Sequence, residues 1–154
     1  MEKDLKKIME LQGDTVYRLA LCRLQNISDA EDVYQEVFLR LFKQDVQDWN
    51  DEHLKAWLIR VTLNCCADIG RFRIKRNTVS IYEEISDQQT DAEEYQELWE
   101  AVSSLSVKLR TPIHLYYMEG YSTRDIARIL KIPEVTVRSR LHKARRKLKD
   151  MLGD

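Results

Sequence analysis

Apolar residues recur every three or four positions along nearly the whole of this 154-residue chain. That period belongs to the α-helix, whose 3.6 residues per turn bring such positions onto one face. The clearest run is Ala30, Val33, Tyr34, Val37, Phe38 and Leu41. Val16, Leu19, Ala20, Leu24 and Ile27 make a similar stripe before it, and Leu54, Trp57, Leu58, Val61, Cys65, Ile69 and Phe72 another after it. Breakers are few. Four glycines and two prolines cannot supply the turn that an all-β fold needs about every ten residues, and they leave no glycine-rich phosphate loop. An all-α fold is expected. Helix starts are marked as well. Ser28-Asp-Ala-Glu31 fits a capping box, in which hydroxyl and carboxylate satisfy early backbone N–H groups. Asn50 or Asp51 stands where the third helix needs a cap. Gly70 weakens that helix by about 1 kcal/mol relative to Ala without having to end it.

Charge divides the chain further. The net charge is only −1, but it is strongly segregated. Arg71, Arg73, Lys75 and Arg76 form a basic cluster. Residues 81–100 then carry eight acidic side chains and no Lys or Arg, and residues 131–149 carry eight Lys or Arg against Glu134 alone. Within the acidic stretch, Ser86-Asp-Gln-Gln-Thr-Asp91 is polar and aperiodic, the pattern of an exposed linker. Helical spacing returns at Tyr95, Leu98, Trp99 and Val102. Two small helical domains, 1–76 and 93–154, joined by a flexible acidic tether at 77–92, are therefore expected. No apolar run approaches the ~18 residues of a membrane span, and the N-terminus lacks the apolar stretch of a signal peptide. A cytoplasmic chain without direct membrane insertion is expected. Three cysteines, two of them adjacent, make no disulfide framework. With His53, His114 and His142 scattered, no structural-zinc spacing exists. Cys22 and Cys65 read as small core residues and Cys66 as more exposed. No nucleophile or paired-carboxylate motif stands out, so neither an enzyme nor a cofactor or metal site is expected.

The most informative stretch begins at Tyr121. Ser122 can cap a short helix, with Asp125 three residues on, whose inner face is Ile126, Ala127 and Leu130. A tight turn follows at Lys131-Ile132, and Pro133 suits the first turn of a second helix, where its missing N–H costs nothing. Val137 and Leu141 then point back inward, which is helix-turn-helix spacing. Thr136, Arg138, Ser139, His142, Lys143, Arg145 and Arg146 are the candidate DNA-contacting residues of this second helix. Arg138, Ser139 and His142 suit base edges in a major groove, Arg by bridging guanine O6 and N7. Lys143, Arg145 and Arg146 suit phosphates, which they neutralise with release of counterions. Lys131 holds a turn position often occupied by Gly. If it is left-handed there, the side chain costs about 1 kcal/mol.

With both halves in view, the chain resembles bacterial sigma factors of the extracytoplasmic-function (ECF) group. The N-terminal signature is Asp29-Ala-Glu-Asp-Val-Tyr-Gln-Glu-Val-Phe-Leu-Arg-Leu-Phe42, followed by Ala56-Trp-Leu-Ile-Arg-Val-Thr-Leu-Asn64, Asp68 and Arg71. The C-terminal signature is Thr136-Val-Arg-Ser-Arg-Leu-His-Lys-Ala-Arg145. The resemblance implies a promoter-melting, polymerase-binding domain of the sigma region 2 type, a linker, and a helix-turn-helix domain of the region 4 type that reads the minus-thirty-five element. It implies core RNA polymerase (its β′ clamp and its β subunit) and promoter DNA as partners, with an anti-sigma factor clamped between the domains. Asp29, Asp32, Gln35 and Glu36 would dock on the β′ clamp. The region from Trp49 to Phe72 would open the minus-ten element. Trp49, Asn50 and His53 would hold a flipped base, Asn64 and Asp68 would lie near the melted strand, and Arg60, Arg71 and Arg73 would track phosphates. Such capture needs a pocket for an unpaired base and a basic track. Trp57 reads as core, and Asn64 could equally be an exposed helix residue.

The alternative is a helix-turn-helix repressor or activator whose N-terminal half senses or dimerises. Polymerase dependence separates the two. A repressor binds its operator alone, whereas a sigma factor directs core polymerase to start.

Overall fold

The computed structural model describes residues 5–72 and 92–153, and all regular structure among these residues is helical. The chain divides into two units, Met1–Asn77 and Thr78–Asp154. Residues 77–91 of the expected tether lie outside the described residues, and Ala92, its last, opens a helix.

The first unit is a bundle of α1 (Leu5–Leu24), α2 (Ile27–Phe42) and α3 (Asp51–Phe72), each packed on the other two. Val16, Leu19, Val33, Val37, Leu41, Leu58 and Ile59 are buried in it, the inner stripes that the apolar period marks. Gly13 is buried in α1 because α2 comes close there. A Cβ at position 13 would lie 2.9 Å from the Tyr34 hydroxyl, and the Tyr34 ring packs against Tyr17 and Phe38. α3 runs through Gly70 to Phe72. The start of α2 differs from the expected capping box at Ser28. The cap is Asn26, whose Oδ1 accepts the Asp29 N–H at 2.9 Å. Gln25 adopts a left-handed backbone with φ 51°, which ends α1 abruptly and lets α2 begin at Ile27.

The second unit contains α4 (Ala92–Ser104), α5 (Val107–Ile113), a π-helix (His114–Met118), α6 (Thr123–Leu130) and α7 (Glu134–Leu152). α7 is its spine, packing on α4, α5 and α6. Leu105, Leu109, Leu115, Ile126, Val137 and Leu141 form the core. Ser106 precedes α5, and its carbonyl accepts from the N–H groups of Leu109 and Arg110. The buried Arg110 guanidinium donates to the Leu105 carbonyl at 2.5 Å and so joins α4 to α5. Pro112 lies inside α5, where its missing N–H removes one helical hydrogen bond, and the helix widens directly afterwards. Across the widened turn, buried His114 and Glu119 pair through Nε2 and Oε2 at 3.1 Å.

Candidate nucleic-acid interface and docking surfaces

In the second unit the helix-turn-helix is built by local backbone chemistry. The Ser122 hydroxyl accepts the Asp125 N–H at 3.1 Å and starts α6. Lys131 ends it in the left-handed conformation, φ 59° and ψ 45°, with its N–H donated to the Ala127 carbonyl. The Ile132 N–H donates to the same carbonyl at 3.1 Å. These are the bonds by which left-handed C-caps satisfy orphan carbonyls. Pro133 is the residue before α7 rather than part of its first turn, and its carbonyl accepts from Thr136 and Val137. The inner face of α6 is Ile126 and Ile129, with Ala127 and Leu130 half-buried. That is a rotation of about one residue from the expected face.

α7 buries Val137, Leu141 and Ala144 and turns Arg138, Ser139, His142, Lys143, Arg145 and Arg146 outward; Thr136 is half-buried. Arg145 has intramolecular partners. Its Nε donates to the Tyr117 hydroxyl at 2.7 Å, and its guanidinium lies 5.4 Å and 5.6 Å from the ring centres of Tyr116 and Tyr117. A residue not singled out from sequence joins the face. Glu134 Oε2 accepts from Thr123 Oγ1 at 2.7 Å and from Arg138 Nη1 at 3.2 Å. The four-residue spacing of Glu134 and Arg138 was a legible signal; the Thr123 contact, made across the turn, was not.

In the first unit, Trp49 packs edge-on to His53 with ring centres 4.5 Å apart and lies 5.6 Å from Trp57. Trp57, expected in the core, is half-buried in this aromatic group. Asn50 rather than Asp51 caps α3, its Oδ1 accepting the His53 N–H at 2.7 Å. Arg60, Asn64 and Asp68 are exposed at successive turns of α3, so one face carries all three. Arg71 is in the last turn of α3; its side chain, and Arg73 altogether, lie outside the described residues.

On α2, Asp32, Gln35 and Glu36 are exposed as expected, but Asp29 is 5% exposed and belongs to the interior. It stands four and eight residues before Val33 and Val37, in phase with the buried stripe, and in the first turn, where an acidic side chain meets the positive end of the helix dipole. Glu36 is already paired. It accepts from Arg40 Nε at 2.8 Å, and this hydrogen bond is the main cause that raises the guanidinium above its ordinary pKa. Beyond it the same helix exposes Leu39 and Phe42, at 62% and 74%. An apolar pair at the end of an otherwise polar face was hidden in the sequence by the neighbouring inward residues Phe38 and Leu41.

All three cysteines are buried, including Cys66, which was expected to be more exposed. Burial pushes the Cys65 thiol up and the Cys66 thiol up to about 12. Among the described residues no group of His, Cys, Asp and Glu could hold a metal ion, and no helix is long and apolar enough to cross a membrane.

Comparison with known proteins matches residues 9–78 to Sigma-70 region 2 and residues 95–148 to Sigma-70, region 4. The chain is 31% identical over 157 residues to the ECF RNA polymerase sigma factor SigE of Mycolicibacterium smegmatis, with 96% of this chain and 61% of that protein covered. It is 31% identical over 153 residues to the ECF RNA polymerase sigma factor SigL of Mycobacterium tuberculosis, with 94% of this chain and 86% of that protein covered. The sigma factor RpoE of Bartonella quintana, solved in complex with the anti-sigma factor NepR, has a similar fold, with a TM-score of 0.79, 24% identity and 98% of each chain covered. Both sigma-70 regions occur here in their expected order, and the match to SigL runs nearly the length of both proteins: the chain belongs to the ECF group of RNA polymerase sigma factors.

Proposed function

We propose that this chain binds core RNA polymerase and directs promoter-specific initiation, with its two units sharing the promoter. Residues 93–154 read the minus-thirty-five element through the outer face of α7. Residues 1–76 dock on polymerase through α2 and open the minus-ten element with the aromatic group at Trp49 and the Arg60–Asn64–Asp68 face of α3. Residues 77–92 connect them. The observation that carries the reading is the helix-turn-helix whose second helix turns Arg138, Ser139, His142, Lys143 and Arg146 outward while burying Val137 and Leu141. Arg138 reads a base edge. Arg146 meets phosphate, so Arg146→Ala should weaken binding to all sequences and reduce the salt slope by about one.

Docking rests on Asp32, Gln35 and Glu36 together with Leu39 and Phe42. Asp29 plays no direct part, because it is buried. The chain catalyses no reaction of its own and works in the cytoplasm, where polymerase is. An anti-sigma factor restrains it by covering polymerase-binding surfaces. The sigma factor RpoE of similar fold was solved with such a partner, and exposed Leu39 and Phe42 offer this chain an apolar docking surface.

The deciding experiment is transcription in vitro with purified core polymerase and the DNA upstream of the chain's own gene. Addition of the chain should create a defined start site on that template. A chain that binds this DNA alone and leaves core polymerase undirected would be a repressor or activator instead.

A further inference from the structure

We infer that Glu134 is a positioning residue for promoter reading: its carboxylate, fixed by the Thr123 hydroxyl, holds the Arg138 guanidinium in the orientation that contacts a base. This rests on the reading of Arg138 as a base-contacting residue. One oxygen, Glu134 Oε2, accepts both from Thr123 Oγ1 at 2.7 Å and from Arg138 Nη1 at 3.2 Å. The three residues come from distinct places. Thr123 opens α6, Glu134 opens α7, and Arg138 stands one turn further along α7. The contact therefore spans the turn and ties the reading side chain to the helix behind it.

Three physical points give the arrangement its meaning. An arginine on an exposed helix face samples many rotamers, and ordering it on DNA opposes binding. A carboxylate that already holds it removes part of that cost. The guanidinium has five donors in a rigid fork. Engaging Nη1 leaves the edge formed by Nε and Nη2 open, and that edge matches guanine O6 and N7. The carboxylate is also anionic. It repels the phosphate backbone, so a guanidinium kept beside it is biased toward base edges rather than phosphates. Stability is not the role of the pair, because the Arg138 and Glu134 side chains are 61% and 38% exposed and ion pairs at such exposure contribute little to folding.

The test uses holoenzyme on a library of upstream elements, with thermal unfolding of each variant alongside. Arg138→Ala should flatten base preference by roughly tenfold at one or two positions. Glu134→Ala and Thr123→Val should flatten the same positions by about fivefold with little change in the unfolding midpoint. Thr123→Ser, which keeps the hydroxyl, should retain the parent profile. In an Arg138→Ala background, Glu134→Ala should change preference no further. If Arg138→Ala flattens the profile and Glu134→Ala does not, the positioning role is wrong while the reading of Arg138 stands. An effect of Glu134→Ala that persists without Arg138, or falls at other positions, overturns the inference in favour of direct contact by the carboxylate. If Arg138→Ala leaves base preference intact, the reading itself fails and the inference with it.

Discussion

At the scale of single residues, Asn50 shows why a sequence signature does not separate folding from recognition. Its side-chain oxygen caps α3, and the family resemblance also implies an unpaired base for it to hold. Asn50→Ala should cost about 1 kcal/mol through the lost cap, seen as a lower unfolding midpoint. Asn50→Ser keeps a capping oxygen, so its midpoint should stay near the parent value. Promoter opening, measured by permanganate reactivity of the minus-ten thymines, should fall in both. Normal opening by Asn50→Ser would reduce Asn50 to a cap. Cys66 offers a second test. Burial raises its thiol to about 12 from an ordinary value of 9.0, so the folded chain keeps a proton that the unfolded chain releases. The associated stability is complete below pH about 9 and is lost as pH rises from there toward 12. The stability advantage of the parent over Cys66→Ala, read from denaturant midpoints, should shrink between pH about 8 and about 10.5. A constant difference would show that the thiol is not shielded.

At the scale of elements, the turn between α6 and α7 holds the clearest unused stability. Lys131 is left-handed, a region where a side chain crowds the backbone and glycine does not. Lys131→Gly should stabilise the second unit by up to about 1 kcal/mol, measured by denaturant unfolding. A loss of stability would mean that the glycine's greater freedom in the unfolded chain outweighs the relieved strain. Most elements were legible because an apolar stripe with period 3.6 survives small errors of phase. The stripe through Val33, Val37 and Leu41 placed α2, and Ser122 placed the start of α6. Caps were less legible. Ser28-Asp-Ala-Glu31 has the composition of a capping box, yet a left-handed Gln25 moved the helix start to Ile27. The family resemblance places Asp29 on the docking face, whereas its spacing to Val33 and Val37 points inward, and it is buried. The π-helix at His114–Met118 had no periodic signal. Pro112 stands just before it, and the buried pair of His114 and Glu119 that spans it is a contact only coordinates reveal.

At the scale of the whole molecule, the change from the basic cluster at Arg71, Arg73, Lys75 and Arg76 to the acidic residues 81–100 falls beside the division between the two units, and patterning by sign is a property of long segments that survives errors at single positions. The proposed docking surface was less legible. Two of its four expected acidic and polar positions changed meaning: Asp29 is buried and Glu36 is paired with Arg40, while Leu39 and Phe42 emerged as exposed. Leu39→Ser with Phe42→Ser should leave the unfolding midpoint nearly unchanged, since both side chains already face solvent. The pair should weaken binding to core polymerase by tenfold or more, about 1.4 kcal/mol, in a competition assay against the parent chain. Equal affinity would remove the apolar pair from the docking surface.

The two units, Met1–Asn77 and Thr78–Asp154, also have an order in time. Ribosomes release the N-terminal part of a chain first, at about 5–20 residues per second. The helices of the α1–α3 bundle are neighbours in sequence, a topology that folds quickly. The three helices of the first unit can therefore be synthesised about 4–15 seconds before the last turn of α7, and a nascent chain carries Leu39 and Phe42 before it possesses the helix proposed to tell one promoter from another.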